Sequence, residues 1–397
     1  MLAGGRKVKG AVLKSVTIRD IKLHVIALPL VELLKTSFGA EPYKSAILVE
    51  VVASDGLTGW GETAVKTKPS YGAETILTAL HITRDFLIPK LVGQTLDTPT
   101  QVPERFKSVR GNHHARAGVE ASIWDLMAKM NDMRLADYFA QHLPPGNAPR
   151  ESVPVGVSIG IQDSLDGQIA LIKKRLEEGY RRIKLKIAPG WDLELARAVR
   201  RHFPDIMLML DANSAYTLAD ADHLRQLDQF DLLMIEQPLA YDDIYEHSLL
   251  QQQLQTPFCL DESICSAHDW RIALELGAGE ILNLKPTRVG GYSESLKIYK
   301  LCVERGSPLW IGGMLETGIG RAANLSFAAL PGVTLPSDIS ATDRYFDRDI
   351  TEPPFVLQPD STLRLPAGAG IGLEVQRDRL AEAEARWRAH NPFPPLF

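Results

Sequence analysis

Lys186, Asp211, Glu236 and Asp261 follow one another at 25-residue steps, and Lys285 comes 24 residues after the last of them. Each lies at or just past the C-terminal end of a short apolar segment that reads as a β-strand. Three carboxylates brought to one point repel each other and need a cation, and a set of oxygen ligands favours a hard ion such as Mg²⁺. No Cys or His joins the set, which argues against zinc. The two lysines come from strands on either side of the acidic three, so across a barrel mouth they would face each other over the metal. That arrangement suits removal of a proton α to a carboxylate on one face and its return on the other. The metal would hold the substrate carboxylate and stabilise the dianionic enediolate. A lysine base must be neutral, and the ordinary value of about 10.4 is too high. Burial, a divalent cation and neighbouring positive charge all lower it. In "IKLKI" (183–187), Lys184 and Lys186 share one strand face, so Lys184 is expected to supply such a charge; Arg288, just after Lys285, is expected to supply another.

A single Asp after a strand is most often a turn or helix-capping residue. That accounts for Asp211 or Asp261 alone. It accounts poorly for Glu236, and it leaves two lysines at matched strand ends without explanation.

The elements that must position this set recur through the middle of the chain. Apolar segments at 153–161, 182–187, 206–210, 232–235, 257–260, 281–284, 308–311 and 333–335 give eight strand candidates. Helical patterns fall between them at 168–178, 193–202, 219–227, 267–276 and 293–305. Alternating βα units in that number imply a parallel α/β barrel of the TIM type, whose active sites lie at the C-terminal ends of the strands. Before it, residues 16–150 read strands first and helices after, an α+β order. Residues 151–340 form the barrel. From 341 to 397 the chain is turn-rich and ends in an amphipathic helix near 377–390.

Composition bounds the function. The chain has 397 residues, 45% apolar and 23% charged, with a net charge of −5. That balance is ordinary for a globular protein and gives no argument for nucleic acid or an anionic membrane as partner. No apolar run approaches the length of a transmembrane helix. The first residues lack the apolar core of a secretory signal, and 1–15 read as a flexible extension. Cys259, Cys265 and Cys302 lack metal spacing, so reduced thiols in a cytoplasmic protein are expected.

The ordered set K-x-K (184–186), "DAN" (211–213), "EQP" (236–238), "DES" (261–263), K…RVGG (285–291) and "GGMLETGIG" (312–320) resembles the enolase superfamily, muconate-lactonizing subgroup. Within it the chain is similar to the o-succinylbenzoate synthase / N-succinylamino acid racemase family, also called N-acylamino acid racemases. The similarity runs from "TSFG" (36–39) and "GWGE" (59–62) to "LPSDISATDRYF" (335–346). The resemblance implies a modified (β/α)₇β barrel with an α+β cap built from both termini. It implies Lys186 and Lys285 as the acid/base pair, and Asp211, Glu236 and Asp261 as ligands of Mg²⁺, for which Mn²⁺ or Co²⁺ may substitute. Lys184 and Asn213 would contact the substrate carboxylate or tune the base, and Glu262 would stand behind the metal ligands. Ser158, Gly313 and Met314 would contact substrate, and Phe38 would lie on a cap loop (30–40) that closes over the site. The family's "GN-x-M-A" reads Gly111-Asn112-His113-His114-Ala115 here, with His114 in place of Met.

Two reactions fit the implied residues. One is syn-elimination of water from a cyclohexadiene carboxylate to give o-succinylbenzoate, a step of menaquinone synthesis. The other is 1,1-proton transfer that racemises N-acylamino acids, N-succinyl ones especially. Elimination needs one base and a cation over the ring; racemisation needs both lysines. The partner is then a small carboxylate, and the family implies a homo-oligomer, dimer or octamer. Dipeptide epimerases and muconate cycloisomerases share the lysine pair. A Schiff-base aldolase on a barrel would use Lys186 or Lys285 as nucleophile, and a non-catalytic acid-binding barrel would leave the five groups without a purpose. Two further patterns carry less. "GIGRAA" (318–323) fits a dinucleotide fingerprint but follows the seventh strand, so it reads as a helix N-terminus approaching substrate. His113 and His114, adjacent on a helix, do not face one point and read as packing residues.

Overall fold

The computed structural model describes residues 14–32 and 42–390. The expectations for most of the N-terminal extension and for Phe38 fall outside the described residues.

Strands β1 (Val16–Pro29), β2 (Tyr43–Ala53), β3 (Thr58–Thr63) and β4 (Thr95–Leu96) form a cap sheet in the order β3-β2-β1-β4. Its pairs are antiparallel. Helix α1 (His113–Met130) packs on this sheet and is buried from His114 through Ala128 except at Arg116. A helix buried all round has no polar face, so it carries no amphipathic stripe. The approach to β3 is made by glycines. A Cβ on Gly61 would stand 2.2 Å from the carbonyl oxygen of Gly118, and one on Gly118 would stand 1.9 Å from Thr63 Oγ1.

Seven parallel strands follow in sequence order: β5 (Gly156–Ile159), β6 (Arg182–Lys186), β7 (Met207–Asp211), β8 (Ile235–Glu236), β9 (Phe258–Leu260), β10 (Ile281–Leu284) and β11 (Leu309–Ile311). The eighth candidate, 333–335, is not a strand. Pro336 has no N–H to give a ladder, and the segment bridges instead. Thr334 and Leu335 donate to the Leu309 carbonyl, Asp338 to that of Ile311, and Gly156 to that of Ser337. These bonds join the last strand to the first, at the place where the expected (β/α)₇β form has its final strand.

Helices α2 (Leu165–Glu177), α3 (Leu193–His202), α4 (Ala267–Leu276) and α5 (Tyr292–Arg305) lie close to their sequence-based bounds. Ser164 and Ser266 cap α2 and α4 by accepting from Gly167 and Asp269, the usual way to satisfy free N–H groups at a helix start. Gly277 and Gly306 close α4 and α5 with φ near +69°, a conformation glycine adopts without strain. The helix expected at 219–227 is present as a continuous run of 3₁₀, α and 3₁₀ turns across Leu218–Phe230. Helix α6 (Gly318–Ala328) begins where "GIGRAA" was read as a helix N-terminus; all its residues are buried, so it shows no amphipathic stripe.

The strand period carries the site. Met209, Met234 and Cys259 lie two residues before Asp211, Glu236 and Asp261, and so on the same face. With Ile281 and Trp310 they form a separate buried cluster. Helix α7 (Arg377–His390) returns to the cap, where Arg377 bonds Glu50 of β2 and Glu384 lies 2.9 Å from His24 of β1. No helix among the described residues is long and apolar enough to cross a membrane, and the three cysteines are free.

Candidate active site

Lys186, Asp211 and Glu236 are direct register partners across β6, β7 and β8. Asp261 and Lys285 stand just beyond the last residues of β9 and β10. Five consecutive strands therefore deliver the five groups to one end. Lys184, Lys186 and Lys285 line a cavity of about 230 Å³ that also reaches Ser158, Asn213, Gly313 and Met314. Of the other residues singled out, Glu262 and Arg288 are buried beside it.

Each charge has a partner. Lys186 donates to Asp211 and, at 2.7 Å, to Asn213 Oδ1. Lys184 lies 3.0 Å from Glu236, 3.2 Å from Asp211 and 2.8 Å from Asp338, with Trp310 under its amine at 4.9 Å. Lys285 donates to Asp261 at 2.8 Å and to the Tyr71 hydroxyl at 2.9 Å. Arg288 ion-pairs with the other oxygen of Asp261. Asn283 donates to Glu236 at 2.6 Å, and Asn213 to Glu262 at 3.0 Å. Ser158 donates to Asp338 at 2.7 Å.

Two features of this network bear on the expected roles. The three carboxylates do not stand as a ready cage: among the described residues no three His, Cys, Asp or Glu side chains are grouped to hold a metal. Each carboxylate has turned to a cation of the chain, as buried like charges must. Lys184 and Lys186 bind the same oxygen of Asp211, so a negative charge lies between their amines. Burial works against charge on Lys184, yet Asp338, Glu236 and Asp211 outweigh it and hold its pKa well above the lysine range. Lys285 is raised in the same way: burial works against its charge, and Asp261, Tyr71 and Glu262 together outweigh it.

The donor set still fits a hard divalent cation. Burial, then Asp211 and Asp261, push the Glu236 carboxyl up to about 8, so the three acids feel one another's charge. Burial and Asp261 push Glu262 up to about 7. Glu262 Oε2 and Asn283 Oδ1 are buried without a hydrogen-bond partner. Acidic oxygens buried this close together are ones a divalent cation would relieve.

Sequence reasoning missed Tyr71, Asp338 and Asn283. Tyr71 reaches Asp261 and Lys285 from the cap, and no periodicity marks it. Asp338 sits in the closing segment, three residues past the strand candidate at 333–335. Asn283 lies two residues before Lys285 and so on its face, a signal that was available.

The "GWGE" and "GIGRAA" patterns meet each other. Glu62 of β3 accepts from the Thr317 N–H at 3.0 Å, its hydroxyl at 2.7 Å and the Gly320 N–H at 3.2 Å. The N-terminus of α6 therefore binds a cap carboxylate, and the reading of it as an approach to substrate is corrected. Lys44 of β2 completes the contact, 3.7 Å from Glu62 and donating to the Met314 carbonyl at 2.9 Å.

His114 joins cap to barrel as well. Its Nδ1 lies 3.1 Å from the Ala64 carbonyl and 3.0 Å from Thr287 Oγ1. Burial pushes its pKa down to about 3. The folded protein thus keeps His114 neutral while the unfolded chain takes a proton near 6.5. This contribution to stability is complete above pH 6.5 and is lost as pH falls towards 3, by at most about 1.4 kcal/mol per pH unit. His114→Met should flatten the fall in urea-unfolding stability between pH 6.5 and 4 relative to the parent. An unchanged slope would contradict the buried, neutral assignment.

Residues 169–379 match the family described as enolase C-terminal domain-like, and residues 19–139 match the mandelate racemase / muconate lactonizing enzyme N-terminal domain. An o-succinylbenzoate synthase of Geobacillus kaustophilus is 48% identical over 86% of this chain and 89% of its own. An N-succinylamino acid racemase of Thermus thermophilus is 43% identical over 90% of this chain and 95% of its own. A solved enolase-superfamily structure from Listeria innocua superposes with a TM-score of 0.88 at 39% identity, covering 93% of this chain and 97% of that one.

Proposed function

Because the chain belongs to the enolase superfamily, with both its capping and its barrel domain, we propose that it moves a proton α to a carboxylate, as an N-acylamino acid racemase, an o-succinylbenzoate synthase, or both. The observation that carries this reading is the row of Lys186, Asp211 and Glu236 in register, continued by Asp261 and Lys285, with both outer lysines on one cavity. Enzymes of this superfamily depend on a divalent metal; Mg²⁺, held by Asp211, Glu236 and Asp261, is the ion the all-oxygen set favours. When bound it supplies Lewis-acid stabilisation to the negative charge that builds as the proton leaves.

The chain's own residues do the rest. In racemisation one lysine removes the α-proton and the other returns a proton to the opposite face. The ammonium so formed on Lys186 stays within reach of Asp211 and Asn213, and that on Lys285 within reach of Asp261 and Tyr71. In elimination a single lysine is the base and the other remains an ammonium. Asn213, with φ of +43°, is fixed by its own N–H to Asp211 and its amide to Glu262, so it orients Lys186 without moving.

The test is an assay of one preparation on both substrates: polarimetry with N-succinylamino acids and ultraviolet detection of o-succinylbenzoate from the cyclohexadiene carboxylate. At least one activity is expected, abolished by EDTA and restored by Mg²⁺. Turnover that survives EDTA, together with inactivation by borohydride in the presence of a carbonyl substrate, would point to Schiff-base chemistry instead.

A further inference from the structure

Lys186 is held from the side by a strained turn. Its amine donates to Asn213 Oδ1 at 2.7 Å, and Asn213 and Ser214 follow one another with φ of +43° and +63°. Two successive non-glycine residues in the left-handed region persist only where the surroundings fix them. Two of the fixing bonds come from the backbone: Ser214 and Tyr216 donate their N–H groups to the Gln237 and Pro238 carbonyls at 2.8 and 3.1 Å. The third is a side chain. The buried Tyr216 hydroxyl donates to Asp192 Oδ2 at 2.6 Å, and Asp192 lies on the loop that leaves β6 after Lys186. Asp192 does more there than cap α3. Its Oδ1 accepts from the Leu193 N–H at 2.6 Å, which is the capping bond. Its Oδ2 takes the Tyr216 hydroxyl and lies 2.8 Å from His223 Nε2, and capping does not need that second oxygen. The loop after β6 and the turn after β7 are therefore joined twice: at the site by Lys186 and Asn213, and again by Asp192 and Tyr216, which are not among the residues lining the cavity. Lys285 is held by Asp261 and Tyr71 and stands outside this chain of contacts.

Resting on the proton-transfer reading above, we propose that Asp192 and Tyr216 are positioning residues for one face of the reaction: through the turn at Asn213 they hold the Lys186 amine in line with the α-proton, and they leave Lys285 unaffected. A lysine amine ends a flexible chain, and misplacing a reacting group by 1 Å can slow a reaction about 10²-fold. Loss of the Asp192–Tyr216 bond leaves the turn with its backbone ties alone. It touches no group that lines the cavity, so substrate binding is preserved. The effect falls on kcat rather than KM, and on one enantiomer rather than both.

The test follows α-proton exchange in D₂O from each enantiomer of an N-succinylamino acid, with the full chain and Mg²⁺. Tyr216→Phe keeps the ring, and Asp192→Asn keeps a capping oxygen, so each removes the tie and little else. Each should lower kcat about tenfold to a hundredfold for the enantiomer whose exchange Lys186→Ala abolishes. KM for that enantiomer, and the exchange rate of the other, should stay within about twofold. The two residues act through one bond, so the double variant should lose no more than the larger single loss. In an Asn213→Ala background Tyr216→Phe should add less than about twofold. If the parent forms o-succinylbenzoate alone, the same loss of kcat and the same lack of additivity are expected in that reaction. Equal loss at both enantiomers, loss carried by KM, additive losses, or parent-like rates in both single variants overturn the positioning role and leave the proton-transfer reading standing. A parent that neither exchanges an α-proton nor forms o-succinylbenzoate overturns the proton-transfer reading and this inference with it.

Discussion

Lys285→Ala is expected to lower racemisation by about 10²–10⁴-fold, the usual contribution of a positioned acid or base. The variant should fold, because Asp261 keeps Arg288 as its ion-pair partner. What it loses is the amine that lies on the opposite side of the acidic strands from Lys186. The effect should differ between the two proposed reactions. Elimination from a cyclohexadiene carboxylate uses one base, so with Lys186 in that role the synthase activity should fall less than the racemase activity. The ratio of the two activities, measured on the same preparation, reads this out. Full racemisation in Lys285→Ala would refute the two-base assignment.

Glu236→Ala should be as damaging, for a different reason. Glu236 is fully buried, and burial with the facing charges of Asp211 and Asp261 pushes its carboxyl up to about 8. A carboxylate kept under that pressure is costly unless something else draws on it. Removing it should weaken Mg²⁺ binding by at least about tenfold to a hundredfold, measured by titration calorimetry. Turnover should become undetectable at ordinary Mg²⁺ concentrations. Lys184 would still have Asp211 and Asp338, so thermal unfolding should stay cooperative. Parent-like Mg²⁺ affinity in the variant would remove Glu236 from the ligand set.

The parts of this site that could be read from the sequence share one property: they lie on a repeating unit. Lys186, Asp211, Glu236, Asp261 and Lys285 are visible because each barrel strand and its return helix take nearly the same length of chain. The parts that could not be read come from elsewhere. Tyr71 arrives from a turn of the cap, 190 residues before Asp261 in the sequence. Asp338 comes from a segment that Pro336 keeps from being a regular strand. The pairing was also hidden. Spacing placed Lys184 beside Lys186 and suggested repulsion, whereas the structure puts an oxygen of Asp211 between the two amines. A strand period says which face a side chain occupies, but not what the neighbouring strand presents to it.

The glycine motifs show the same limit. "GIGRAA" is a local pattern with several uses, and only the position of Glu62 decides among them. Gly61 and Gly318 bring backbones close: a Cβ on Gly61 would meet α1, and one on Gly318 would stand 1.8 Å from Thr351 Oγ1. Both lie within segments that resemble the family in sequence. Gly61 lets α1 lie against the cap sheet, and Gly318 lets the start of α6 lie against Thr351.

The central claim is that Lys186 and Lys285 serve opposite faces of one carbon. Proton NMR in D₂O, following α-proton exchange from each enantiomer of an N-succinylamino acid separately, tests it most directly. The parent should exchange both enantiomers, with Mg²⁺ and not with EDTA. Lys186→Ala should exchange one enantiomer alone, and Lys285→Ala the other alone. A single variant that still exchanges both enantiomers, or a pair of variants that retain the same one, would contradict the account.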